Sequence, residues 1–136
     1  MIDANYAAVA ANVPQWCADF EAVGPYFGSS SGSSPGLVDW TTRMIVDTPL
    51  RVLLETLKIN TNVNMTEELR KVGVPTLIVH GDQDASAPLE LTGRKTAALI
   101  EGAELTVYPG AGHGLYASDH QALNADIVAF IKNHAA

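Results

Sequence analysis

Two turns in the second half of the sequence carry an acid and an imidazole that could work together. Asp84 lies in "GDQDASAP", directly after the apolar run "VPTLIVH", and His113 lies in "GAGHG", directly after "AELTVYP". If both runs are parallel strands, their carboxyl ends meet at one sheet edge, where open α/β folds place reacting groups. Asp84 can then accept a hydrogen bond from one ring nitrogen of His113, which leaves the other nitrogen available as a base.

Other polar residues near these turns compete for the same roles. We predict that Asp82 is structural and bonds the amides of its own turn, as Asp often does. His80 ends the first apolar run, and we expect it to be buried and hydrogen-bonded rather than to act as a second base. His120 and His134 fall in the predicted last helix, where we expect solvated side chains.

A candidate nucleophile, Ser30, lies in "GSSSG", residues 28–32, which spells the G-x-S-x-G pattern. This pattern marks a nucleophile when a buried strand leads into the serine and a helix leaves it. Gly24 and Pro25 interrupt any such strand. The stretch "SSGSSPG" after it is predicted to be loop, so the next helix begins only at Ser34 or Pro35. We therefore interpret "GSSSG" as a loop and leave the nucleophile unassigned.

The elements that must position these residues divide the sequence into two parts. Residues 1–72 read as helices and loops, with Pro14, Pro35 and Pro49 at or near the starts of helices. Residues 73–136 read as strand, helix, strand, helix, which is a βαβα unit with parallel strands. Since a two-stranded parallel sheet leaves both edges unpaired, this unit resembles one end of a larger sheet.

The helices of the second part have their own predicted limits. Pro88 is expected to open the helix between the strands, and Ser118 with Gln121 has the spacing of a capping box for the last helix. The predicted buried face of that last helix consists of Leu123, Ile127, Phe130 and Ile131.

Composition excludes several classes of protein. The 136 residues are 47% hydrophobic and 17% charged, which indicates a folded globular chain. With 8 Lys+Arg against 15 Asp+Glu, the net charge of −7 argues against nucleic-acid and membrane partners, and we expect a cytoplasmic location. Cys17 is isolated and is expected in the core, and "GAGHG" lacks the spacing of a dinucleotide loop, so we expect neither a metal nor a cofactor.

The chain resembles the α/β-hydrolase superfamily, and within it the cofactor-free haloperoxidases and related aryl esterases. The resemblance is carried by "HGDQDASAP", "GAGHGL" and "LNADIVAFI", and it extends to "PYFG" and "SSPGLVDWTTRMIVDTPLRVLLETL". It implies the C-terminal portion of the fold, with a helical cap in residues 1–72 and the last two strands in 73–136. In such proteins the Asp before the proline orients the later histidine, which carries over to Asp84 and His113.

The resemblance also implies a function and a missing part. The expected activity is ester hydrolysis by a Ser–His–Asp triad, with peracid formation as a side reaction. The expected substrate is a small-molecule ester or acid. The comparison places "GSSSG" in the cap, so the serine is expected outside this chain and the chain alone is expected to be inactive. An N-terminal hydrolase half would then be its partner.

The alternatives are a non-catalytic binding module that self-associates through the sheet edge, and a lactonase or carbon–carbon hydrolase on the same fold.

Overall fold

The computed structural model describes residues 2–22, 26–29 and 33–134 of the chain. No helix in these residues is long and apolar enough to cross a membrane. The elements in chain order are α1 Ile2–Ala11, α2 Val13–Ala22, α3 Pro35–Val46, α4 Leu50–Asn62, α5 Thr66–Leu69, β1 Leu77–Gly81, α6 Gly93–Leu99, β2 Glu104–Tyr108, α7 Leu115–Ser118 and α8 His120–His134.

The chain forms two compact units, which differ from the predicted division at residue 72. The first unit contains Met1–Val23 and Pro35–Asn64, and the second contains Gly24–Ser34 and Met65–Ala136. Residues 65–72 therefore belong with the strands and not with the helices before them. Residues 24–34 also belong to the second unit, because the backbone of residues 26–29 is hydrogen-bonded to the turn after β2.

Helices α1 to α4 make up the first unit. Helix α1 packs against α2 and α4, and α2 packs against α3. Pro35 is the first residue of α3, as predicted, whereas Pro49 lies one residue before α4 begins. Cys17 is buried in this unit together with Val9, which agrees with its interpretation as a core residue.

The second unit is built on a two-stranded parallel sheet, as the sequence predicts. The strands pair in register from Leu77 opposite Glu104 to Gly81 opposite Tyr108. Side chains alternate between the two faces of a strand. His80 meets Gly93 of α6 on one face, while Val79 packs on the other face against the core cluster of Tyr108, Ala111, Leu115 and Leu123. Helices α6 and α8 thus lie on opposite sides of the sheet.

Two of the predicted helix starts are wrong. Helix α6 begins at Gly93 and not at Pro88, because residues 88–92 form turns in which the Pro88 carbonyl accepts from the amide of Leu91. Helix α8 begins at His120, and the hydroxyl of Ser118 bonds Asp119 instead of capping toward Gln121.

The predicted buried face of α8 is only partly buried. Leu123 is in the core, but Ile127 is 39% exposed and Ile131 is 57% exposed. Two strands about 4.8 Å apart form a surface no wider than one helix of about 10 Å diameter, so the sheet cannot cover a broad apolar face. Within the described part of the chain, β1 and β2 pair only with each other, which leaves one open edge on each strand.

Candidate active site

The turn after β1 holds Asp84 in a fixed orientation. The residue is 7% exposed, and its Oδ1 accepts from the backbone N–H groups of Ser86 at 2.9 Å and Ala87 at 2.8 Å. This is the local bonding that a short polar side chain makes in a turn. The other carboxylate oxygen, Oδ2, is directed toward the turn after β2.

The structure brings His113 to this second oxygen. Its Nδ1 lies 2.8 Å from Asp84 Oδ2, and its side chain is 45% exposed whereas the Asp84 side chain is only 5% exposed. An ionised carboxylate can only accept, so Nδ1 carries the proton of this bond and Nε2 of the neutral ring has a free lone pair. A buried carboxylate thus orients a half-exposed imidazole.

Close contact between the two turns keeps the acid and the base together. The amide of Gln83 donates to the Ala111 carbonyl at 2.9 Å, and the carboxylate of Asp82 accepts from the amide of Gly110 at 2.7 Å. Asp82 is therefore structural, as predicted, but it bonds the other turn and not its own. A Cβ on Gly81 would overlap the backbone of Ala111, so the turns can approach this closely only with glycine at that position.

A segment from the first half of the sequence also lines the site. The amides of Gly112 and Gly114 donate to the carbonyls of Phe27 and Tyr26, at 3.1 and 2.5 Å. Gly28, at φ +67, forms an antiparallel bridge with Ala111. The sequence does not predict this contact, because backbone bonds between such distant residues leave no local periodic pattern, and the resemblance instead assigns "PYFG" to the helical cap.

Tyr26 lies beside the base. Its ring centroid is 5.5 Å from that of His113, and its hydroxyl is 2.9 Å from that of Tyr116. Burial, followed by the hydrogen bond with Tyr116, holds the pKa of Tyr26 well above its ordinary value. The phenol of Tyr26 therefore stays protonated at neutral pH, which places a hydroxyl group near the imidazole.

The other three histidines each bond a backbone carbonyl group. The side chain of His80 is 12% exposed and its Nε2 lies 2.8 Å from the Ala87 carbonyl oxygen, which agrees with the predicted buried, hydrogen-bonded role. His120 is exposed, as predicted, and His134 bonds the carbonyl of Phe130. Ser30 lies outside the described residues. Among the residues that are described, no group of three or more His, Cys, Asp or Glu side chains could hold a metal ion.

Several known proteins are similar to this chain in sequence. Residues 55–135 match the protein family described as TAP-like protein, within the α/β hydrolases. A non-heme haloperoxidase of Rhodococcus erythropolis is 31% identical over 136 residues, which is 98% of this chain and 49% of that protein. A bifunctional esterase/perhydrolase of Acinetobacter calcoaceticus is 30% identical over 114 residues, covering 81% of this chain and 41% of the relative.

Solved structures agree with this at the level of fold. The bromoperoxidase of Bacillus anthracis superposes with a TM-score of 0.88 at 22% identity, over 96% of this chain and 48% of that protein. An esterase of Exiguobacterium antarcticum superposes with a TM-score of 0.84 at 22% identity, over 96% of this chain and 47% of that protein. The chain therefore has the architecture of the C-terminal part of these folds and spans about half the length of the relatives it matches.

Proposed function

Because this chain belongs to the α/β hydrolases, in the family described as TAP-like, we propose that it supplies the acid and the base of a Ser–His–Asp triad for ester hydrolysis. The observation that carries the proposal is the 2.8 Å contact between buried Asp84 and half-exposed His113 at adjacent strand ends. The parallel strands place both side chains at the sheet edge where such folds react.

In the proposed reaction, His113 moves the protons and Asp84 stays ionised. Nε2 of His113 takes the hydroxyl proton of a serine as its oxygen attacks the ester carbon. The resulting imidazolium is stabilised by Asp84, and it returns the proton to the leaving alkoxide when the tetrahedral intermediate collapses to an acyl-enzyme. A water then attacks the acyl-enzyme by the same proton transfers, releasing the acid and restoring the serine.

We further propose that the nucleophile lies in the first half of the fold, which these 136 residues do not cover. Three features support this: the chain spans about half of its relatives, the described part of the sheet has open edges, and Ile127 and Ile131 of α8 are exposed. The proposed substrates are small-molecule esters. Peracid formation at the same site is supported by the esterase/perhydrolase and haloperoxidase relatives.

An aryl-ester assay tests both parts of the proposal. The purified chain is assayed alone and after co-expression with the first half of the Rhodococcus erythropolis relative, with His113→Ala as the control. Turnover that requires the second polypeptide and disappears in His113→Ala is the expected result. Turnover by the chain alone that is abolished in Ser30→Ala would show instead that the nucleophile lies in "GSSSG".

The open strand edges also favour a second candidate, a non-catalytic module that associates with itself by strand pairing. Sedimentation equilibrium separates this from the first proposal. The second candidate predicts a concentration-dependent dimer of the purified chain and no ester turnover with any added first half. A monomer that gains activity with the first half excludes it.

A further inference from the structure

We propose that His80 is a positioning residue that holds the loop of Asp84–Ala87, here called the acid loop, in the shape that presents Asp84 to His113. The catalytic consequence of this role rests on the proposed triad. The geometric consequence, a fixed bond between Asp84 and His113, does not, and it can be measured in the 136-residue chain itself.

The first observation is the bond that His80 makes to the far end of the acid loop. Its Nε2 lies 2.8 Å from the carbonyl oxygen of Ala87, and because a carbonyl can only accept, Nε2 must carry a proton. The hydroxyl of Thr92 donates to the same oxygen at 3.0 Å. The amide of Ala87 in turn donates to Asp84 Oδ1 at 2.8 Å, so the backbone of one residue, Ala87, links the imidazole to the acid.

The second observation is that His80 also approaches the carboxylate oxygen of Asp84 that binds His113. Its Nε2 is 3.4 Å from Asp84 Oδ2, the oxygen that binds Nδ1 of His113 at 2.8 Å. The shorter distance to Ala87 shows where the principal bond of His80 lies. The N–H group is nevertheless close enough to attract this oxygen and hold it in its present place, and the contact is largely closed to solvent, since the two side chains are 12% and 5% exposed.

The third observation is the packing that fixes the ring of His80. A Cβ on Gly93, the first residue of α6, would lie 2.6 Å from Nδ1 of His80 and 3.2 Å from a methyl group of Leu89. The absence of a side chain at Gly93 therefore leaves the space that the ring occupies. With the ring confined between strand and helix, its N–H has one direction, toward the acid loop.

A residue that only filled the core could be replaced by an apolar side chain of similar size without effect on the site. His80→Leu removes the N–H and keeps much of the bulk, whereas His80→Gln keeps an N–H near the position of Nε2. The two variants thus separate hydrogen bonding from packing. Gly93→Ala disturbs the ring from the other side and leaves its chemistry unchanged.

Nuclear magnetic resonance of the whole chain provides the test. In the unsubstituted chain, we expect the His113 Nδ1 proton bonded to Asp84 to give a downfield resonance and the amides of Ser86 and Ala87 to exchange slowly. We expect His80→Leu to lose that resonance and to exchange both amides at least about tenfold faster, and His80→Gln to keep both signals. Slow exchange of the Glu104 amide in β2, which donates to the Thr76 carbonyl before β1, verifies that each variant is folded.

Two outcomes would overturn the proposal. One is a folded His80→Leu chain that keeps the resonance and the slow exchange, and the other is a His80→Gln chain that loses them as completely as His80→Leu does. If His80→Leu does not fold, Gly93→Ala takes its place, and unchanged signals in that variant contradict the proposal.

Kinetics of the chain assembled with a first half separates this inference from the proposed triad. With the triad, His80→Leu lowers kcat by up to about 10²-fold at nearly constant KM, since small misplacements of a catalytic group have costs of that order. If the unsubstituted assembly shows no turnover, the proposed function is contradicted. The His113 Nδ1 resonance in the chain alone still decides whether His80 positions the acid loop.

Discussion

At the scale of single residues, the two oxygens of Asp84 have separate tasks. Oδ1 is occupied by two amides of its own turn, and Oδ2 is left for His113. The sequence could identify both partners, because each follows a strand that its apolar pattern reveals. It could not identify the contacts of Tyr26 or of His80 with Ala87, since these depend on loop shapes that no periodicity encodes.

Asp84→Asn should inactivate the assembled enzyme without unfolding it. The asparagine can still accept from Ser86 and Ala87, but its amide nitrogen would donate to Nδ1 of His113 and place the ring proton on Nε2, where the base is needed. We expect kcat for an aryl ester to fall by about 10⁴-fold, as in other triads that lose this charge.

Asp82→Asn is the matched control, because its remaining carbonyl oxygen can still accept from the amide of Gly110. We expect it to lose less than about tenfold in kcat. Equal losses in the two variants would show that Asp84 acts only by holding the turns together.

Tyr108 gives a prediction on pH and stability. Burial, together with the hydrogen bond that its hydroxyl donates to Asp126, raises the pKa of Tyr108 from 10.0 to about 12. A raised pKa favours the protonated form in the folded chain, so this contribution to stability is complete below pH 10 and is lost as pH rises through about 12.

The free energy of unfolding, from urea titrations across this interval, should therefore fall more steeply for the unsubstituted chain than for Tyr108→Phe. Parallel curves would mean that the bond to Asp126 does not form. Tyr26→Phe removes a second tyrosine of raised pKa and should likewise make the fall in stability above pH 10 less steep.

At the scale of elements, the close approach of the two turns sets the geometry of the site. The strands themselves were predictable from their apolar runs, and β1 and β2 lie within three residues of the predicted ends. The start of α6 was not predictable, because Pro88 suits a first helical turn. Instead, the hydroxyl of Thr92 bonds the carbonyl groups of Ala87 and Pro88, which holds the chain in turns until Gly93.

Gly81→Ala should destabilise the second unit, because its new Cβ would overlap the Ala111 backbone and force β1 and the histidine turn apart. We expect a loss of about 1–3 kcal/mol in the free energy of unfolding, as for other overpacked sites. Gly73→Ala is the matched control, since nothing lies within 4 Å of its Cβ position. Urea titration of both variants measures the difference, and equal stability would contradict the close contact.

At the scale of the whole molecule, the sequence predicted the fold class and the resemblance to half of a larger fold. It did not predict that residues 24–34 belong to the second unit, because that assignment comes from backbone hydrogen bonds to the turn after β2. It also placed Ile127 and Ile131 in a buried face, since apolar spacing shows which side of a helix prefers burial but not whether a neighbour is present to cover it.

Ile131→Ser tests whether this exposed face receives the first half of the fold. Because the side chain is 57% exposed, the substitution should change the stability of the chain alone by less than about 0.5 kcal/mol. It should weaken the association with the co-expressed first half, measured by co-purification and by ester turnover. Asn133→Ser, on an exposed polar position of the same helix, should leave both unchanged. Equal association of the two variants would place the contact elsewhere.

The docking of residues 26–29 on the histidine turn has a consequence for the order in which the site forms. Asp84 and His113 are 29 positions apart, whereas Tyr26 and Tyr116 are 90 apart. Closing the longer loop costs about 1 kcal/mol more in chain entropy, so contacts of the βαβ unit should form first during folding. In pulse-labelled hydrogen exchange, the Glu104 amide, which donates to Thr76, should gain protection before those of Gly112 and Gly114, which donate to Phe27 and Tyr26. The histidine would then meet its acid early and gain its tyrosine neighbour last.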